Sequence, residues 1–163
     1  ALMNHGARAL ALLLLGAALR DCVLLGAAVL VWSEHCAQRL DACPDRAHAW
    51  TRCMLDGATL LAMGAALALH TASVAFGWWP RVEFLNPLVS ATLALVIAIG
   101  GLSTEQLTRR HVAVALGVVA AALSQAPSVA CAFAVLVAAV SLFDGARHLG
   151  SMSRALAAPH DER

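Results

Sequence analysis

The stretch from Ala9 to Trp32 reads ALALLLLGAALRDCVLLGAAVLVW, and it decides the class of the fold. It contains nine Leu and three Val, and its only charged residues are Arg20 and Asp21 near the middle. A bilayer core about 30 Å thick needs about 20 residues of helix. The run therefore predicts a transmembrane helix, and the two charges at its centre are the first candidate functional residues.

The rest of the chain is similarly apolar. Hydrophobic residues make up 61% of the 163 positions, charged residues make up 13%, and the mean hydropathy is +0.76. Soluble domains contain roughly one-quarter charged residues, and a water-soluble core could not bury this much apolar surface. We therefore expect an all-α, polytopic integral membrane protein with the lipid bilayer as its partner and no nucleic-acid ligand.

The apolar runs predict a bundle of five transmembrane helices at 9–32, 55–79, 85–102, 112–126 and 128–143. Asn86 and Pro87 suit a helix start, because Pro is tolerated in the first turn. Polar residues interrupt the long run at 112–143. They favour two spans joined by a tight turn, with a re-entrant hairpin as the alternative.

The predicted organisation is a single membrane domain over 1–163. It has a polar loop containing Cys and His at 33–54 and a polar C-terminal tail at 144–163. The start of the chain also resembles a signal peptide. We favour a span, because apolar residues resume after Asp21.

The arginines predict the orientation. With five spans, Arg8 and Arg81 lie on one side, and eight others lie on the opposite side: Arg39, Arg46, Arg52, Arg109, Arg110, Arg147, Arg154 and Arg163. Cytoplasmic loops carry an excess of basic residues. This count predicts an outside N-terminus and an inside C-terminus. The absence of Lys indicates a GC-rich genome, and the membrane is then a bacterial inner membrane or an organellar one.

The polar loop contains three cysteines, Cys36, Cys43 and Cys53. On the inner side thiols are usually kept reduced, so unpaired thiols are favoured over a disulfide. The cysteine spacings match no short zinc motif. We assign no metal and no cofactor.

The two central charges need partners if they lie within a span. An Arg or Asp at a helix centre costs about 2.5–3.5 kcal/mol, so the pair offsets the whole gain of roughly 5 kcal/mol from the surrounding Leu and Val. Adjacent residues on a helix do not face each other. Counting along antiparallel helices puts His70 at a depth similar to that of Asp21, which allows a direct or water-bridged contact.

These residues suggest three functions. Arg20, Asp21 and His70 form either a latch between helices or an ion or proton path, because ionisable groups inside a membrane are expensive and commonly functional. The favoured function is a helical subunit of a homo- or hetero-oligomeric membrane complex. The alternative is a small ion, proton or solute transporter or channel that uses Asp21 and His70. A haem-binding redox subunit with His70 as ligand ranks third. No catalytic motif is present, so an enzyme is not favoured.

Overall fold

The computed structural model describes residues 2–41, 46–78, 86–124 and 126–157. Within these ranges the chain is all-helical and contains no strand. Six helices follow one another: α1 (Leu2–Leu19), α2 (Cys22–Asp41), α3 (Arg46–Ala75), α4 (Pro87–Ile99), α5 (Arg109–Ser124) and α6 (Pro127–Ala157). A single 3-10 turn, Thr104–Gln106, lies between α4 and α5.

The run at 9–32 is not one helix, and the first predicted span is therefore wrong. The run is divided between α1 and α2, which meet at Arg20 and Asp21. The two helices pack in antiparallel directions, since Gly6 near the start of α1 faces His35 in the second half of α2. The run forms a helical hairpin.

The two charged residues make the turn of this hairpin. Arg20 has a left-handed backbone with φ of 51°, and the amide of Asp21 donates to the carbonyl oxygen of Gly16 at 3.0 Å. This is the Schellman arrangement that ends many helices, with Arg at the position usually held by Gly. Asp21 then caps α2, since its Oδ1 accepts hydrogen bonds from the amides of Val23 (2.8 Å) and Leu24 (3.1 Å). The charges stop one helix and start the next, so the cost expected for the centre of a span does not apply.

The other apolar runs are helical, with shifted bounds. The predicted start of α4 is confirmed: Pro87 is its first residue, and the Oδ1 of Asn86 accepts from the Leu88 amide at 3.0 Å. The run at 112–143 forms two helices, as predicted, and Pro127 begins the second.

The segments predicted to be a loop and a tail are also largely helical. Helix α2 continues to Asp41 and α3 begins at Arg46, so most of 33–54 extends these two helices. Helix α6 continues to Ala157. Apolar runs show where a helix is buried but not where it ends. Past the apolar parts of α2 and α6, described polar residues such as Ser33 and Asp144 hydrogen-bond to each other.

Helix α2 lies at the centre of the bundle and packs against the five other helices. Because the helices alternate in direction, polar residues gather at two ends. We call the end with the Arg20–Asp21 turn the turn end; it also holds the start of α4 and the connection from α5 to α6. We call the opposite end the arginine-rich end; the start of α1, the end of α2, the start of α5 and the second half of α6 lie there.

Glycines set the closest contacts between helices. A Cβ on Gly64 would lie 3.1 Å from the carbonyl oxygen of Ala138, and one on Gly145 would lie 3.0 Å from that of Gly57. At these positions the backbones of α3 and α6 pack closely, because small residues place no large side chain between two helices.

Two of the described helices contain segments long and apolar enough to cross a membrane, Thr51–Ala75 in α3 and Pro127–Ser151 in α6. The apolar parts of α1 and α4 are shorter. Five spans are therefore not confirmed.

Candidate functional site

Among the described residues, no hydrogen bond or ion pair joins His70 to Asp21. Beyond its two capping bonds, its Oδ2 accepts a hydrogen bond of 2.7 Å from the Oγ of Ser90, a buried residue of α4. Its carboxylate oxygens thus connect the start of α2 to α4 in the ionised form. Asp21 lies in a helix turn rather than on the face of a span, and a water-bridged contact with His70 stays a prediction.

Arg20 and His70 instead line one groove between α1, α2 and α3. The groove has a volume of about 520 Å³ and otherwise apolar walls. The Nε2 of His70 is buried and has no hydrogen-bond partner among the described residues. Of the three residues singled out from the sequence, these two share a surface and the third lies outside it.

A buried charge cluster lies at the arginine-rich end, and the sequence did not single it out. Its centre is Arg110 in the first turn of α5. The Nη1 of Arg110 donates to the carbonyl oxygen of Ser33 at 2.9 Å, and its Nη2 donates to Oδ2 of Asp144 at 3.1 Å. The Oε2 of Glu34 lies 3.7 Å from Nη1. We call these four residues the polar cluster.

The acids of the polar cluster are held by further hydrogen bonds. The Oγ of Ser33 donates to Oδ2 of Asp144 at 2.9 Å, and Nε2 of Gln38 donates to Oε1 of Glu34 at 2.9 Å. Glu34 is 6% exposed and Asp144 is 8% exposed. Buried charges are tolerated when they are paired and hydrogen-bonded, so these bonds make the cluster stable inside an apolar bundle.

A second ion pair extends this network towards α3. The Nη1 of Arg39 lies 3.6 Å from Oδ1 of Asp56, which is buried. Next to it, the indole of Trp32 donates to Oγ1 of Thr59 at 3.1 Å. Trp32, which is half-buried, therefore holds α2 to α3 with its polar atom.

Two histidine rings pack together beside the cluster. The centroids of His5 and His111 are 5.3 Å apart, and both residues are buried. Burial lowers the pKa of both imidazoles, and the negative charge of Glu34 opposes that shift in each. The Nδ1 of His5 has no hydrogen-bond partner in the described part of the chain.

Hydrogen bonds set the tautomer of two histidines. The amide of Thr108 donates to Nδ1 of His111 at 3.2 Å, so in the neutral ring the proton is on Nε2. In His148, Nδ1 lies 2.7 Å from the carbonyl oxygen of Asp144, an obligate acceptor, so Nδ1 carries the proton. The Nε2 of His148 is then a bare acceptor, buried and without a partner among the described residues.

Charge counting describes what this site can do. In its centre, among the described residues, the carboxylates of Glu34 and Asp144 share the guanidinium of Arg110, so these three side chains sum to one negative charge. Arg8 adds a positive charge near the adjacent His5 and His111. A proton or a small cation bound in the centre would balance this negative charge. Acceptors for a proton are present in the carboxylates and in the nearby imidazoles.

The described residues contain no group of three or more His, Cys, Asp or Glu side chains arranged to hold a metal ion. Cys36 is a free, buried thiol, and burial raises its pKa to about 12, so it is unreactive at neutral pH. Cys43 lies outside the described residues.

The sequence contained a signal for this site. Asp144 and His148 are four residues apart, hence on one face of α6, and Asp144 directly follows an apolar run. The predicted polar tail includes both residues, and the predicted loop includes Ser33 and Glu34. Acids that immediately follow apolar runs on two different helices were the indication of a buried pair.

Comparison with family models, curated proteins and solved structures gave no match to this chain. The fold and the site define the protein only as an all-helical bundle with a buried charge cluster at one end, and the functional argument rests on its own residues.

Proposed function

We propose that the protein is an integral membrane protein in which all six helices are embedded in the bilayer. The observation behind this proposal is the outer surface. Large apolar side chains point outward on the five helices that surround α2, among them Leu14, Leu69, Val96, Leu116, Leu123 and Leu136, each more than half exposed. Soluble monomers rarely expose continuous apolar patches of more than a few hundred Å². Lipid is the solvent that fits such a surface.

Six passes change the expected orientation. Both termini then lie on the same side, and the arginines divide nine against two, with Arg20 and Arg81 on the turn side and the other nine on the arginine-rich side. The positive-inside tendency favours an inner location for the arginine-rich end. We propose an inside N-terminus in place of the outside N-terminus expected from five spans. The exposed stacked rings of Phe76 and Trp78 then anchor the turn end at the opposite interface.

Membrane extraction and labelling test this location. The protein should stay in the membrane pellet after alkaline carbonate washing. In a background without native cysteines, a cysteine placed at Ser103 should react with an impermeant maleimide only from the inner side, and one at Gly77 only from the outer side. Release by carbonate, or labelling of these two positions from the same side, would refute the six-span arrangement.

Within this frame we propose that the protein transports protons or a small cation and that the polar cluster is the binding site. The cluster supports this because it has excess negative charge, is buried, and adjoins imidazoles with open nitrogens. It lies about 17 Å from the turn end along α2, counting from Cys22 to Ser33 at 1.5 Å per residue. Arg110, with a side chain 30% exposed, connects it to solvent at the arginine-rich end.

A flux measurement with matched variants tests this proposal. Purified protein is reconstituted in liposomes containing a pH-sensitive dye, and a potassium gradient with valinomycin drives proton entry. We expect Asp144→Asn and Glu34→Gln to lower the flux to that of empty liposomes. Asp21→Asn makes the same chemical change at the turn end, where Asn also caps a helix well, so it should leave the flux unchanged.

The same measurement separates the two possible paths. Loss of flux in Asp21→Asn or His70→Ala, with normal flux in Asp144→Asn, would reject the cluster and support a path through Asp21 and His70. Wild-type flux equal to that of empty liposomes, with sodium and potassium as well as protons, would reject transport. Unfolding midpoints in detergent exclude misfolding as the cause of any loss.

A helical subunit of a membrane complex is the second candidate function. A groove of about 700 Å³ between α3 and α6 is lined mainly by small residues, including Ala68, Ala72, Ala132 and Ala139. Small residues on a lipid-facing groove allow close approach of another helix. Ala72→Leu should dissociate an oligomer in mild detergent if this groove joins subunits, and Leu116→Ala on another face should not.

A further inference from the structure

The groove that contains Arg20 and His70 is polar at one end and apolar at the other. Along α3 the lining residues run from Ala62 and Met63, near the middle of the helix, to His70, nearer the turn end. Along α1 they run from Leu13 to Arg20 at the turn itself. The polar atoms of the groove therefore lie together at the turn end, and its apolar walls extend towards the middle of the bundle.

The dimensions suit one hydrocarbon chain. From His70 to Ala62 is about 12 Å and from Arg20 to Leu13 is about 10 Å, at 1.5 Å per residue. The volume of about 520 Å³ lies within the range of small-molecule sites, which are mostly apolar with a few polar groups that fix orientation. Leu25 and Val29 of α2 form the floor between the other two helices.

The charge at the mouth selects the headgroup. Arg20 is exposed and cationic, and guanidinium groups bind phosphate through paired hydrogen bonds. An anionic headgroup near Arg20 would also approach the unsatisfied Nε2 of His70.

We propose that this groove binds an anionic phospholipid from the leaflet at the turn end, with an acyl chain between α1, α2 and α3 and the phosphate at Arg20. The bound lipid fills the space under the hairpin turn and fixes α3 against α1. The proposal rests on the membrane location proposed above but not on proton transport, so loss of flux activity would leave it unaffected.

Native mass spectrometry and thermal unfolding of delipidated protein in maltoside detergent test this proposal. Phosphatidylglycerol should bind and raise the unfolding midpoint, and phosphatidylcholine with the same chains should bind about tenfold more weakly, the effect of one charge-assisted contact. Soluble glycerol phosphate should have no effect at the same concentration, because it lacks the chain. Equal binding of the two lipids, or stabilisation by glycerol phosphate alone, would overturn the proposal.

Variants separate the headgroup contact from the chain contact. Arg20→Gln should reduce the preference for phosphatidylglycerol to within about twofold, by loss of that one contact, and Met63→Trp, which fills the groove, should weaken both lipids equally. Arg109→Gln removes an exposed arginine at the opposite end and should leave the preference intact. Each variant is first shown to unfold cooperatively without lipid. A preference retained in Arg20→Gln would contradict the assignment.

Discussion

Replacement of Arg110 by Met tests whether the polar cluster is held by one shared cation. Met is of similar length and fills the space, but it removes the hydrogen bonds to Ser33 (2.9 Å) and Asp144 (3.1 Å) and the ion pair with Glu34 (3.7 Å). Two carboxylates then remain in a buried site without their cation.

The expected cost follows from burial. Breaking a buried ion pair by removing one partner costs about 3–5 kcal/mol. Since the Arg110 side chain is 30% exposed, some water screens the pair, and we expect about 3 kcal/mol. For a chain of this length that lowers the unfolding midpoint by roughly 6–12 °C. Calorimetry or intrinsic fluorescence in detergent at pH 7.5 measures this shift.

A double mutant and a neighbour complete the test. Arg110→Met combined with Asp144→Asn should recover at least about half of the lost stability, because the uncompensated charge has gone. Arg109→Met changes the exposed adjacent arginine and should stay within about 0.5 kcal/mol of wild type. A cost below about 1 kcal/mol for Arg110→Met, or strict additivity in the double mutant, would refute the reasoning.

Three further predictions concern the turn, the helix contact and the histidines. Arg20→Gly should raise the free energy of unfolding in lipid-free detergent by about 1 kcal/mol, because φ of 51° is strained for Arg and not for Gly. Arg20→Val should lower the free energy of unfolding, and the reverse order of the two variants would contradict the turn geometry. Gly64→Ala should destabilise the protein because its Cβ would meet Ala138 at 3.1 Å, whereas Gly150→Ala, with open space around it, should be neutral or stabilising. Burial lowers the pKa of His5 and of His111 below 6.5 in the folded protein. Between these lowered pKa values and 6.5 the unfolded chain binds more protons than the folded chain, so the free energy of unfolding should fall as the pH drops through this window. The unfolding midpoint is measured between pH 5 and pH 8, and it should depend less on pH in His111→Gln than in the wild type. An unchanged slope in this variant would show that His111 is not the source of the pH dependence.

Runs of apolar residues predicted that the chain is all-helical and where most of its helices lie, and single residues predicted some of the helix starts. Asn86 and Pro87 indicated the start of α4 because capping and proline geometry are local properties. The interruption before Pro127 indicated a break for the same reason. The hairpin at Arg20 and Asp21 was missed, since a charged pair within an apolar run is equally consistent with a span that buries charges and with two short helices. The choice depends on whether the two halves have a surface to pack on.

The candidate site depended still more on packing. Arg110 is 77 positions from Ser33, and Ser33 is 111 positions from Asp144, yet hydrogen bonds connect all three. No local pattern specifies which of many acids an arginine will meet. The direction of each helix decides that, and one extra turn at Arg20 and Asp21 reverses the direction of α2 relative to α1.

The sequence by itself determined that the chain is helical, strongly apolar and punctuated by helix stops, because these follow from side-chain hydropathy and backbone preference. Only the tertiary structure decided that Arg20 and Asp21 form a turn, that Arg20 shares a groove with His70, and that Glu34 and Asp144 share Arg110. The physical reason is that a buried charge is stable only beside its partner, and which groups become neighbours is fixed by the packing of all six helices around α2.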